Sequence, residues 1–113
     1  MKDSTIRQIL QFSDERDWKQ FHNPKDLSIS ISLEAAELLE NFQWSGAAVE
    51  CKDKIEQIRE ELADVFIYSV LMADACELNI DEIILDKIRQ NTEKYPVEKS
   101  CGNSKKYTEL KSC

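Results

Sequence analysis

Apolar side chains recur at helical spacing along most of the chain. Ile6, Ile9 and Leu10 open the first pattern, which runs through a charged stretch to Trp18 and Phe21 and predicts a helix over about residues 4–20. Asn23-Pro24-Lys25-Asp26 then reads as a new start, with Asn23 as N-cap, Pro24 in the first helical position and Asp26 near the positive helix end. From Ile29 to Leu33 the residues alternate like a short strand, but Leu27, Ile31, Ala35, Leu38 and Phe42 hold one face for four turns. The longer pattern predicts a second helix to about residue 43. Ser45-Gly46 closes it. A third pattern, weak from Ala47 and strong from Ile55, continues through Ile58, Leu62, Val65, Phe66, Ser69 and Met72 to about Glu77. Its second half is apolar all round, and three other helices of so short a chain can hardly enclose it, so a partner subunit is implied. A fourth helix starts near Asp81, aligns Ile80, Ile84, Ile88 and Tyr95 on one face, and stops before Pro96.

These elements predict an all-α protein of the four-helix-bundle type, with a helical domain over residues 1–96 and a tail over 97–113. The 113 residues suit a single domain, and only two glycines and two prolines argue against a turn-rich β-sandwich. The longest strongly apolar run, residues 65–73, is too short for a membrane span, and no membrane association is expected. Met-Lys-Asp-Ser at the N-terminus has no apolar signal region, so the expected location is cytoplasmic. Cys51, Cys76, Cys101 and Cys113 form no Cys-x-x-Cys, His22 is the single histidine, and reduced thiols are expected. The formal charge of −7 disfavours nucleic-acid binding. That charge is unevenly divided: residues 1–93 hold 10 basic and 20 acidic side chains, whereas 94–113 hold five lysines against two glutamates. The tail is a basic appendage on an acidic body.

Several polar residues stand where the pattern calls for apolar ones. At about 100° per residue from Leu27, Leu38 lies near 20° and Ile31 near 40°, while Glu34 lies near −20°, inside the stripe, and Glu37 near −80°, off it. On the third helix Glu61 and Asp64 head into the enclosed apolar run beside Tyr68. Isolated buried carboxylates are costly, so four together require a cation. Glu34-x-x-Glu37 and Glu61-x-x-Asp64 each place two carboxylates on one helix face, and antiparallel packing would join the pairs. All-oxygen ligation suits Mg²⁺, with Mn²⁺ as a substitute, and not zinc. A di-iron site of the ferritin kind lacks its Glu-x-x-His. On the fourth helix Lys87 and Asn91 interrupt the apolar face, and with Lys94 they could receive phosphate oxygens. Trp18, His22, Trp44 and Tyr68 combine aromatic faces with polar tips, a set suited to a nucleobase.

Glu34-Ala-Ala-Glu37, twenty-three residues, then Glu61-Leu-Ala-Asp64 resembles the E-x-x-E…E-x-x-D signature of the all-α MazG-like nucleoside triphosphate pyrophosphohydrolases. The stretches Arg16-Asp17-Trp18-Lys19-Gln20-Phe21-His22, Phe42-Gln43-Trp44, Asp64-Val65-Phe66-Ile67-Tyr68, Lys94-Tyr95-Pro96 and Lys106-Tyr107-Thr108-Glu109-Leu110 are similar to the dCTP pyrophosphatase branch. The resemblance implies Mg²⁺-dependent hydrolysis of a nucleoside triphosphate, dCTP or a modified cytidine nucleotide, to the monophosphate and pyrophosphate by a dimer or dimer of dimers. It maps metal ligands onto Glu34, Glu37, Glu61 and Asp64, the base pocket onto Trp18, His22, Trp44 and Tyr68, and phosphate contacts onto Lys87, Asn91, Lys94 and Tyr95. Glu37, nearer solvent than Glu34, is the candidate to take the proton of the attacking water. The tail, with Lys106 and Tyr107, is expected to fold over bound phosphates as a lid. The segment between Trp44 and Glu61 is shorter than in animal members. A non-catalytic helical oligomer that senses nucleotide or metal is the alternative class, and the complete carboxylate quartet argues against it.

Overall fold

The computed structural model describes residues 1–46, 49 and 52–102. Among them the chain is all-helical: α1 (Asp3–Glu15), a 3₁₀ turn (Trp18–Phe21), α2 (Pro24–Glu40), a second 3₁₀ turn (Lys52–Lys54), α3 (Ile55–Ala75), α4 (Ile80–Lys94) and the single turn α5 (Val97–Ser100). No described helix is long and apolar enough to cross a membrane.

The first helix is shorter than its apolar periodicity predicts, ending at Glu15 rather than near residue 20. Local polar groups stop it. Asp17 takes a left-handed conformation (φ 52°), which an aspartate tolerates better than most residues. The Gln20 amide then donates to the Asp17 carbonyl (3.0 Å) and carboxylate (3.1 Å), and the Arg16 guanidinium donates to the Phe12 carbonyl (3.0 Å). These bonds compete with helix continuation, so Trp18 and Phe21 are reached through a 3₁₀ turn.

The start of α2 follows its sequence signal closely: Asn23 Oδ1 accepts the Asp26 backbone N–H at 2.9 Å, and Pro24 occupies the first turn. The helix stops at Glu40, where the buried Asn41 amide donates back to the carbonyls of Leu38 (3.1 Å) and Glu37 (3.4 Å). Lys54 Nζ donates to the Asn41 carbonyl at 3.2 Å, joining the end of α2 to the approach to α3. With Glu34 beside Glu61 and Asp64, this contact fixes an antiparallel α2–α3 pair. The register carries Leu27 to the level of Val70 and Leu71, and among the described residues the buried apolar side chains are Leu27, Val70, Leu71 and Ala73. α1 packs on α3 as well. The apolar run of α3 is only partly enclosed among the described residues: Phe66 remains 52% exposed.

The chain divides into two compact units, the first covering Met1–Leu78 and the second beginning at Asn79. In the second, Asn79 Oδ1 caps α4 by accepting the Glu82 backbone N–H at 2.9 Å, and Arg89 pairs with Asp86 at 2.7 Å. α4 ends at Lys94, before Pro96 as its sequence predicts.

Candidate active site

α2 and α3 bring the two acidic pairs together. One carboxylate oxygen each from Glu34, Glu61 and Asp64 lies within 4.8 Å of the others, and all three side chains are half-buried. Glu37, one turn beyond Glu34 and exposed, stands close enough for its side chain to act on both Glu34 and Glu61. Carboxyl groups crowded in this way hold their protons more tightly. Accordingly Glu61 is pushed up to about 7, first by its hydrogen bond with Glu37, then by burial and by the charges of Glu37 and Glu34. Glu34 is raised as well, chiefly by burial and then by Glu37, Asp64 adding its charge.

The donor set fits a divalent cation on an observation independent of its acidity. Glu34 Oε2 is buried and has no hydrogen-bond partner among the described residues, an arrangement that costs free energy unless a cation or proton meets it. Three hard oxygen donors at this spacing could hold a divalent cation.

Asp64 also lines a cavity of about 710 Å³ within the first unit. Trp18, His22 and Tyr68 line the same cavity, with Phe12 and Phe66 as further aromatic walls. Phe12 meets Trp18 edge-to-face with ring centroids 5.5 Å apart, and Trp18 meets His22 similarly at 6.1 Å. The Arg16 guanidinium lies 3.7 Å from the Phe12 ring centroid, bracing that wall from outside the cavity lining. Ser13, buried in α1, contacts His22 Nδ1 through its hydroxyl at 3.3 Å.

The structure thus joins Glu34, Glu61 and Asp64 in one cluster, with Glu37 acting on Glu34 and Glu61 from beside it, and Trp18, His22, Tyr68 and Asp64 in one cavity. It does not bring Trp44 to that cavity: Trp44 is 86% exposed in the turn after α2. Lys87, Asn91 and Lys94 follow one another along one face of α4, and Tyr95 caps that helix, all in the second unit. Lys106 and Tyr107, and with them most of the expected lid, lie outside the described residues. Phe12, Ser13, Arg16 and Phe66 were not among the site residues expected from the sequence. A signal existed for Ser13, which falls four residues after Ile9 and three after Leu10, a hydroxyl within the apolar stripe of α1.

A family described as MazG-like matches residues 29–110 of the chain. Among curated relatives, dCTP pyrophosphatase 1 of Mus musculus is 37% identical over 111 residues, covering 93% of this chain and 65% of the mouse protein. The human protein of the same name is 37% identical with the same coverage. The chain therefore spans about two thirds, strictly 65%, of the length of these relatives. Among solved structures, a pyrophosphatase from Archaeoglobus fulgidus superposes with a TM-score of 0.71 at 37% identity, covering 83% of this chain and 91% of the archaeal one.

Proposed function

The chain belongs to the MazG-like family, and from that premise we propose that it hydrolyses a (deoxy)nucleoside triphosphate, dCTP or a modified dCTP foremost, to the monophosphate and pyrophosphate. One observation carries this reading: Asp64 belongs both to the carboxylate cluster and to the wall of the aromatic cavity. A base held in the cavity would thus have its phosphates beside a cation site. The names of the mouse and human relatives support dCTP, and that of the archaeal structure supports pyrophosphatase chemistry.

Glu34, Glu37, Glu61 and Asp64 would hold Mg²⁺, which would supply charge to polarise the α-phosphate and acidify a water. Glu37, exposed beside Glu34 and Glu61, would take the proton of the attacking water, with Glu34 as the second candidate for that role. Trp18 and Tyr68 offer faces and edges to the base, His22 a ring nitrogen, and Trp44 an outer stacking face. Lys87, Asn91, Lys94 and Tyr95 are proposed to receive the departing pyrophosphate, and Lys106 and Tyr107 to close over it. Self-association as a dimer or dimer of dimers would cover Phe66 and complete the enclosure of α3. The role is housecleaning of the cytoplasmic nucleotide pool.

The test is a panel of standard and modified nucleoside triphosphates with Mg²⁺, following pyrophosphate release, with one hydrolysis run in ¹⁸O water. Label in the monophosphate and none in pyrophosphate is expected from attack at the α-phosphorus. Label in pyrophosphate, release of single orthophosphates, or inactivity across the panel would refute the reaction.

A further inference from the structure

Ser13 stands out among the helical hydroxyls. Ser28, Ser32, Ser69 and Thr92 each donate to the carbonyl four residues earlier in their own helix, at 2.7, 2.9, 2.7 and 2.8 Å. Ser13, also helical and only 4% exposed, instead spans nine residues to reach His22 Nδ1 at 3.3 Å. Both residues line the large aromatic cavity. Both also line a second, small cavity of about 30 Å³ on which Asp14, Lys19 and Asp74 open. The Ser13–His22 pair is therefore part of the wall that the two cavities share.

We infer that Ser13 is the positioning residue that sets the tautomer of His22 and, through it, which base edge the large cavity accepts. His22 Nδ1 lies 3.3 Å from the Ser13 hydroxyl, and which of the two donates depends on the tautomer of the ring. A serine donating to Nδ1 makes that nitrogen an acceptor and puts the ring proton on Nε2. Nε2–H is then a fixed donor for a ligand, matched to an acceptor on the base edge such as the carbonyl or ring nitrogen of a pyrimidine. The opposite arrangement, with Nδ1–H donating to Ser13 Oγ and the hydroxyl turned toward the small cavity, would make Nε2 an acceptor and favour an amino edge. The inference rests on the reading of the large cavity as the base pocket, but its first test does not depend on activity.

His22 is the single histidine of the chain, so ¹⁵N-histidine labelling reports on it alone. At pH 8, ligand-free protein should show the Nε2–H tautomer as the dominant form. Ser13→Ala should give mixed tautomers, and Ser13→Thr, which keeps the hydroxyl, should restore the wild-type spectrum. In kinetics with dCTP and Mg²⁺, Ser13→Ala should raise KM about fivefold with kcat within about twofold, as for loss of one neutral hydrogen bond used in binding. A dominant Nδ1–H tautomer in the wild type, or an unchanged spectrum in Ser13→Ala, overturns the inference. Absence of dCTP hydrolysis together with tautomer mixing in Ser13→Ala would retire the proposed reaction while leaving the Ser13–His22 assignment standing.

Discussion

The two halves of α3 do opposite things against the same partner helix. Near its start, Glu61 and Asp64 meet Glu34 and Glu37 of α2, and the contact gathers like charges at close range. Toward its end, Val70, Leu71 and Ala73 are buried, at the level where α2 contributes Leu27, 1% exposed. One end resists association of the helices and the other drives it. The difference teaches that the packed core and the acidic group that could hold a cation lie at separate ends of one helix pair, so that each should be separable by mutation.

The strongest way to break that comparison is to remove charge without volume. Glu37→Gln or Asp64→Asn is expected to abolish Mg²⁺-dependent turnover while leaving the helical circular-dichroism spectrum intact, because an amide cannot supply the charge a hard cation requires. Near-normal activity in either variant would dissolve the quartet. The complementary change removes volume without charge. Leu27→Ala should destabilise by about 2–5 kcal/mol in denaturant titration, with kcat per folded molecule unchanged. A large loss of kcat there would show that the packed end also shapes the site.

Much of this arrangement was legible in the sequence because the carboxylates break a strong pattern. Glu34 inside an apolar stripe and Glu61 and Asp64 at the head of an apolar run are conspicuous, and a four-turn helix leaves little freedom over which face they occupy. The cap at Asn23 was legible for the same reason, since a short polar side chain before apolar periodicity acts locally, whereas Asn79, which caps α4, was passed over for a start near Asp81. The end of α1 was not, because its stop depends on Asp17 adopting a left-handed backbone that Gln20 and Arg16 then reinforce, and periodicity is blind to it. Nor was the cavity wall: Phe12 and Phe66 look like ordinary core positions until α1 and α3 pack around an open space. Trp44 illustrates the converse, an aromatic residue whose motif points to the base pocket but whose position after α2 leaves it outside the cavity lining.

The two tryptophans sharpen the comparison at a smaller scale. Trp18 lines the cavity and is held edge-to-face by Phe12, whereas Trp44 stands in solvent. Stacking on an aromatic face contributes about 1–3 kcal/mol per base, so Trp18→Ala should raise KM for pyrimidine triphosphates by one to two orders of magnitude. Trp44→Ala should raise it less. Equal effects, measured alongside the oligomeric state, would mean that a second copy covers Trp44 and that the pocket is built from two chains.

The smallest expected effect lies in the metal-free stability of the charged end. Glu61 is held near 7 in the folded protein against an ordinary value of 4.5. Below about pH 4.5 both folded and unfolded chains carry this proton, and the group contributes no difference. Between the two values the folded chain holds a proton that the unfolded chain has released, so the folded state binds more protons and stability falls as pH rises. Above about 7 that loss is complete. In EDTA, the melting temperature of the wild type should therefore decline more steeply from pH 5 to pH 8 than that of Glu61→Gln, which has no such proton to lose. The effect is modest because these carboxylates are only partly buried and their repulsion is screened by solvent and salt. A cation at the cluster displaces the same proton, so added Mg²⁺ should raise the wild-type melting temperature more at pH 8 than at pH 5. Parallel pH slopes for wild type and Glu61→Gln in EDTA would show that the acidic end of α3 stores no repulsion for a cation to relieve.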